Sequence, residues 1–161
     1  MARQQHDRED LLSEATALTE RVSLRLAGHD EEIVLGFRPD GSASIYWGGG
    51  HAYQFNSAGR LRRAHVGDLL YKAEKGRLIS LKRERKPDVV ELTRHTLSES
   101  QSRMFLMEMS ERLEQLHHAL AKKNFTVLGQ VSAEGDLLDR MACWLDEFAA
   151  RVEIAESPRV G

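Results

Sequence analysis

The sequence predicts an α+β fold, in which a curled or barrel-like antiparallel β-meander of about seven or eight strands packs against helices. Three observations carry this prediction. Short runs with alternating apolar residues occupy positions 20–95, and turn residues separate these runs at short intervals. From position 97 onwards the apolar residues recur at helical spacing instead. One N-terminal and two C-terminal amphipathic helices are expected, and the 161 residues suit a single domain over 1–161.

The first element is predicted to be a helix over residues 7–19. Asp7 can cap it through its carboxylate, and apolar residues follow at helical spacing. The next run, at 20–27, fits either a continuation of this helix or a strand. We prefer a strand as the start of the meander, because three apolar residues alternate there, namely Val22, Leu24 and Leu26.

The meander contains a phrase that occurs twice, "YQFNSAGRL" from Tyr53 and "YKAEKGRL" from Tyr71. Each copy places a glycine between two strand-like runs, which is typical of a hairpin corner. The three glycines at 48–50 are likewise interpreted as a hairpin loop, since a strand and no helix follows them. The first phrase resembles a tyrosine-aspartate repeat of bacterial shell-forming toxins over nine residues, with asparagine in place of aspartate, and no function is carried over from it. The matching residues are Tyr53, Phe55, Asn56, Gly59, Arg60 and Leu61.

The C-terminal part is predicted to hold two amphipathic helices. Ser98 and Gln101 form a capping-box pattern at the start of a helix over 97–123. The run at 125–131 is compatible with one more strand, and a last helix is predicted over 133–152, before a tail at 153–161. The apolar stripe of the first of these helices contains Phe105, Met109, Leu113, Leu116 and Leu120.

Several classes of protein are disfavoured by what the sequence lacks. It contains neither a secretion signal nor an apolar run long enough to span a membrane, so we expect a cytoplasmic protein that does not engage membranes. A single cysteine, Cys143, excludes an internal disulfide. We find no catalytic motif and no metal-ligand spacing, and therefore expect a non-enzymatic protein without cofactor or metal. The spacing of His51, His65 and His95 along the sequence does not exclude a cluster of these residues on neighbouring strands.

Charge is distributed unevenly along the chain. The net charge is −2, yet residues 60–94 contain eleven Lys or Arg against five acids. Such asymmetry is typical of an anion-binding face. Alternatively, the basic strands pair with the acidic helices of the same chain, and this pairing cancels the positive charge of the face. The candidate anion-binding or nucleic-acid-binding residues are Arg38, Arg62, Arg63, Lys72, Arg77, Lys82 and Arg83. Tyr46, Trp47 and Tyr71 are candidate stacking residues, and the alternative is that Trp47 belongs to the core.

Arg62 and Arg63 are adjacent within one predicted strand. Strict alternation would point one of them toward the apolar side of the sheet. An inward arginine needs a partner, which would be an acidic side chain or a bound anion.

Together these patterns predict a binding module whose basic meander engages an acidic partner, with nucleic acid as the first candidate. The alternative is a protein-interaction or homo-oligomerisation module. Methionines cluster at the start of the helix over 97–123, and adaptable side chains of this kind are common at interaction surfaces.

Overall fold

The structure is a computed structural model that describes residues 18, 20–86, 89–131, 136–149 and 153–155, with the backbone alone for 83–86 and 89–92. Eight strands follow one another, and then a helix, a ninth strand and a second helix. The strands are β1 Glu20–Leu26, β2 Glu32–Phe37, β3 Ala43–Trp47, β4 His51–Phe55, β5 Leu61–Val66, β6 Leu69–Glu74, β7 Arg77–Lys86, β8 Val89–Thr96 and β9 Phe125–Val131. The helices are α1 Glu99–Lys122 and α2 Leu137–Phe148.

Within the described residues, the strands form one antiparallel sheet of nine, in the order β8-β7-β6-β5-β4-β3-β2-β1-β9. The α+β meander is thus confirmed, with one strand more than predicted. The sheet is open, with β8 and β9 at its two ends, so the barrel-like alternative was wrong. Helix α1 connects these ends. Its 24 residues give a helix about 36 Å long. This length is comparable with the width of the nine-stranded sheet, which is about 38 Å over eight strand spacings.

The two sides of the sheet differ in what covers them. We call the side that packs against α1 and α2 the helix-facing side and the other the outer side. Alternating residues of β1–β5 on the helix-facing side, such as Leu24 and Ile45, are fully buried against the helices. The two helices contribute Met109, Leu113, Leu116, Ala119, Leu120, Leu137, Met141, Trp144 and Leu145 to this core. The two predicted C-terminal amphipathic helices that cover the meander are therefore confirmed.

The doubled phrase corresponds to two hairpin corners, β4–β5 and β6–β7, with the β5–β6 corner between them. In the first, Asn56 Oδ1 accepts hydrogen bonds from the backbone N–H of Ala58 and Arg60, and Gly59 has a φ of +79°. In the second, Lys75 and Gly76 both have positive φ, which is the conformation of a two-residue type I′ turn. The repetition in the sequence therefore reflects turn geometry.

A β-bulge corrects the expectation for the two adjacent arginines. Gln54 of β4 pairs with Arg63, whereas Phe55 pairs with Leu61, so Arg62 is the additional residue. The bulge breaks strict alternation and leaves Arg62 exposed, while both Leu61 and Ala64 enter the core. The prediction that one arginine points into the apolar side was wrong.

The ends of the elements also differ from the predictions. The predicted helix over 7–19 lies outside the described residues except for Leu18, which is not helical, and β1 confirms the strand interpretation of 20–27. The capping box of α1 is present at Ser98 and Gln101. Within the predicted tail, residues 153–155 add a short parallel bridge beside β5. There Leu61 N–H donates to the Glu153 carbonyl at 2.7 Å, and Ala155 N–H donates to the Leu61 carbonyl at 2.9 Å.

Candidate anion-binding face

Five predicted cations lie on or beside the outer side of the sheet, and we call them the outer basic patch. Arg63 and Lys72 are outward by alternation on β5 and β6, and Arg77 follows at the start of β7. Arg38 lies at the end of β2 and Arg62 occupies the bulge. The patch comprises Arg38, Arg62, Arg63, Lys72 and Arg77.

The centre of the patch is a row of polar residues that runs across four strands. Ser44 pairs with Gln54, Gln54 with Arg63, and Arg63 with Lys72. Like charges directly opposite each other in an antiparallel pair repel. His65 lies beside the row, with its Nε2 3.3 Å from Nη2 of Arg63. An anionic group placed between Arg63 and Lys72 would therefore lower the electrostatic energy of both side chains.

Hydrogen bonds hold Arg38 at one margin of the row. Its guanidinium donates to Ser44 Oγ and, at 3.4 Å, to the Tyr46 hydroxyl. Gln54 Nε2 donates to the same hydroxyl at 3.4 Å. Sequence reasoning missed Ser44 and Gln54, because their position beside the arginines depends on strand register. Only the pairing of the strands shows that Ser44 and Gln54 lie beside the arginines, because local composition does not indicate it.

One carboxylate lies close to this margin. The Ser42 hydroxyl donates to Asp40 Oδ1 at 2.6 Å, and the Ser42 backbone N–H donates to the same oxygen at 2.9 Å. These hydrogen bonds, followed by the positive charges of Arg38 and Arg62, lower the pKa of Asp40. Asp40 therefore stays ionised at neutral pH and offsets part of the positive charge at this end. Arg38 and Arg62 are the cations of the patch whose charges act on Asp40.

The remaining predicted cations are not brought together with the opposed pair of cations on β5 and β6. Lys82 pairs with Leu69 and lies on the helix-facing side, whereas the Arg83 side chain lies outside the described residues. Arg77 belongs to the patch but lies opposite Glu74, which also forms an ion pair with Arg94. The basic segment of the sequence is thus divided between the two sides of the sheet.

The candidate stacking residues do not form an exposed aromatic platform. Trp47 is in the core at 6% exposure, as the alternative interpretation held, and the Arg112 guanidinium lies 5.8 Å from its ring centroid. Tyr71 is half-buried on the helix-facing side, with its ring centroid 4.5 Å from that of Phe105. Tyr46 lies on the outer side but is also 6% exposed, in a small cluster with Leu18, Val34 and Ala52.

The accessible part of the patch therefore lies on β5 and β6. Arg62 is exposed, and Arg63, His65 and Lys72 are partly exposed. Helices α1 and α2 pack on the opposite side of the sheet. These two helices do not cover the outer basic patch, which answers part of the question of whether acidic helices neutralise the basic strands.

On the helix-facing side, one histidine interacts with a cation. Arg112 Nη2 lies 3.4 Å from His51 Nε2. Burial, followed by the charge of Arg112, lowers the pKa of His51, whereas Glu31 and Glu108 act in the opposite direction. His51 is consequently the neutral hydrogen-bond acceptor of Arg112 at pH 7.

A cleft opens where the first turns of α1 stand away from the sheet. It has a volume of about 320 Å³, and its floor is a row of cross-strand neighbours, Tyr71, Ser80 and His95. Met104, Phe105 and Glu108 of α1 form the facing wall. Burial and the negative charge of Glu108 raise the pKa of the Tyr71 hydroxyl, which stays protonated. The cleft thus combines apolar side chains of Leu97, Met104 and Phe105 with polar groups of Ser80, His95, Gln101 and Glu108.

Other kinds of site have no support in the part of the chain that the structure describes. His51 and His95 lie on the helix-facing side and His65 on the outer side, and no group of three potential metal ligands is found among the described residues. Neither described helix is long and apolar enough to cross a membrane. Comparison with protein-family models, curated proteins and solved structures gives no match to this chain.

Proposed function

We propose that this protein is a non-enzymatic binding module whose outer basic patch engages an anionic partner, with nucleic acid as the first candidate. The observation that carries the proposal is the placement of Arg63 directly opposite Lys72 on the outer side, with Arg62 exposed beside them. Phosphates are the anions that such a row of cations neutralises most readily, because Lys and Arg contacts release condensed counterions.

The side chains around the patch define how a nucleic acid would bind. Tyr46 is buried and hydrogen-bonded, and Trp47 and Tyr71 belong to the helix-facing side. Contacts would therefore be made to phosphates and not by stacking of bases. The expected behaviour is weak dependence on base sequence, similar binding of single and double strands, and strong dependence on salt. The cytoplasmic location stays a prediction that accompanies this proposal.

The test is fluorescence anisotropy of labelled single-stranded and duplex oligonucleotides at about 50 and 200 mM salt. The variant Arg63→Glu/Lys72→Glu removes two phosphate contacts, and the matched control Lys82→Glu/Lys122→Glu makes the same change of charge away from the outer side. Loss of two contacts lowers the logarithmic salt slope for duplex by about 1.8, so the fourfold rise in salt weakens binding about tenfold less than in the unmodified protein.

The outcomes separate a local site from a general charge effect. Weaker binding by the patch variant with the reduced salt slope, and unchanged binding by the control, would support the proposal. An equal loss of affinity in both variants would show that binding depends on the net charge of the protein and not on the outer basic patch. Absence of binding at the lower salt concentration would reject nucleic acid as the partner.

A second candidate function is a protein-interaction or homo-oligomerisation module that uses the methionine-rich start of α1. Met104, which lines the cleft, is 62% exposed, and Met107 is 57% exposed. Large apolar side chains exposed in one region favour a protein partner. Substituting both methionines by lysine should then disrupt assembly, and sedimentation velocity of this variant against the unmodified protein measures the effect.

A further inference from the structure

The last strand, β9, forms one end of the sheet and is exposed along most of its length. It pairs with β1 on one side, and no described strand pairs with its other side. After Phe125, every residue of the strand is exposed. Three of these residues are large and apolar, with exposures of 43–48%, namely Val127, Leu128 and Val131.

β9 lacks the charged residues and prolines that protect many edge strands from pairing, and its one irregularity is a bulge at Leu128 in its pairing with β1. "FTVLGQV" contains no charged residue and no proline. The opposite edge strand, β8, contains Glu91, Arg94 and His95 in eight residues. Charged residues on an edge oppose the approach of a further strand, whereas an uncharged apolar edge with free backbone donors and acceptors favours it. The two ends of this sheet are therefore not equivalent, and β9 is the end suited to association.

We propose that β9 is a dimerisation edge, on which β9 of a second copy of this chain pairs in antiparallel orientation about a two-fold axis. A second copy fits because an uncharged strand meets its own copy without placing like charges opposite each other. Pairing of β9 with β8 of another copy would be head-to-tail and would bring charged residues of β8 against apolar ones.

The residues that precede β9 select the antiparallel orientation. Lys122 and Lys123 are exposed immediately before the strand. Parallel pairing would bring these lysines of both copies together, whereas antiparallel pairing separates them by roughly the length of the strand, about 24 Å for seven residues. Charge repulsion therefore opposes the parallel arrangement and leaves the antiparallel one unaffected.

Such a dimer has a consequence for the outer side. A two-fold axis normal to the sheet joins the two sheets edge to edge and leaves both outer sides on the same face of the assembly. The outer basic patches of the two copies then face the same direction. Dimerisation itself depends only on β9 and goes beyond the proposed function, so it can be tested without an anionic partner.

The test is sedimentation velocity of the full chain from about 1 to 100 µM, combined with amide hydrogen exchange of the peptide containing residues 125–131. The test variant is Val127→Lys, and the matched control is Cys143→Lys, which places the same residue at an exposed position on α2. Both substituted side chains are exposed, and far-UV circular dichroism of each variant verifies that the fold is retained.

We expect the unmodified protein to reach twice the 18.2 kDa of the monomer as concentration rises. Val127→Lys should raise the dissociation constant of the dimer at least about tenfold, because it places two cations in one strand pair. Cys143→Lys should leave this constant unchanged, and amides of β9 should become protected as the dimer forms. A monomer at all concentrations, or a dimer that Val127→Lys weakens no more than Cys143→Lys does, would overturn the proposal.

Discussion

The contact between α2 and the β4–β5 corner makes a sharp prediction about Gly59. A Cβ at this position would lie 2.6 Å from Cγ of Phe148 and closer still to two other carbons of the ring. Phe148 is the last residue of α2, and its ring packs against Trp144 at a centroid distance of 5.4 Å. The substitution Gly59→Ala should therefore push the end of α2 away from the sheet.

The magnitude follows from two separate effects. An alanine held at the φ of +79° costs about 1–2 kcal/mol, and overpacking against a ring costs about 1–3 kcal/mol. Together they should lower the free energy of unfolding by about 2–5 kcal/mol, or Tm by roughly 4–20 °C for a chain of this size. Gly76→Ala is the matched control, because Gly76 has a φ of +75° and open space around its Cα. It should cost about 1–2 kcal/mol.

Urea unfolding followed by far-UV circular dichroism measures both variants under the same conditions. A double-mutant cycle with Phe148→Ala isolates the contact, since removal of the ring should leave Gly59→Ala with the backbone cost alone. If Gly59→Ala costs no more than Gly76→Ala, or if the cycle shows no coupling, then Phe148 does not pack against this corner and the position assigned to α2 is incorrect.

Three further predictions concern stability. Burial lowers the pKa of His51 below its unfolded value of 6.5, so the folded protein binds fewer protons at this residue than the unfolded protein does, and the free energy of unfolding should fall as the pH drops below 6.5. His51→Gln should reduce the dependence of the free energy of unfolding on pH, which urea unfolding at several pH values measures. Lys123 has a φ of +58° after α1, and Lys123→Gly should raise the free energy of unfolding by about 1 kcal/mol; a decrease would show that the lysine side chain makes a contact of its own. Met109 is 1% exposed and Met107 is 57% exposed, so Met109→Ala should lower the free energy of unfolding by about 2–5 kcal/mol, whereas Met107→Ala should leave it almost unchanged. Equal losses of stability in thermal unfolding would mean that α1 is rotated about its axis.

Local sequence patterns were enough to predict most secondary-structure elements of the described chain. Alternating apolar residues and turn glycines indicated the meander, because the strand period and positive φ are properties of a few consecutive residues. The capping box at Ser98 marked the start of α1 to within two residues. The composition of residues 60–94 also identified a basic region, and two of its members, Arg63 and Lys72, do lie opposite each other.

What the local patterns could not decide depends on pairing between distant residues. The bulge at Arg62 exists because β4 and β5 pair with a shift of register, and a single extra residue changes which side chains face the helices. The division of Lys72 and Lys82 between the two sides follows from the same alternation.

The sequence by itself therefore determined the types of element and the excess of positive charge in the meander. Tertiary structure decided that β9 pairs with β1, that the sheet stays open and that the two described helices both pack on the same side of it. These features depend on which apolar surfaces bury each other across long separations in the chain, and such burial is a property of the whole fold and not of any short segment.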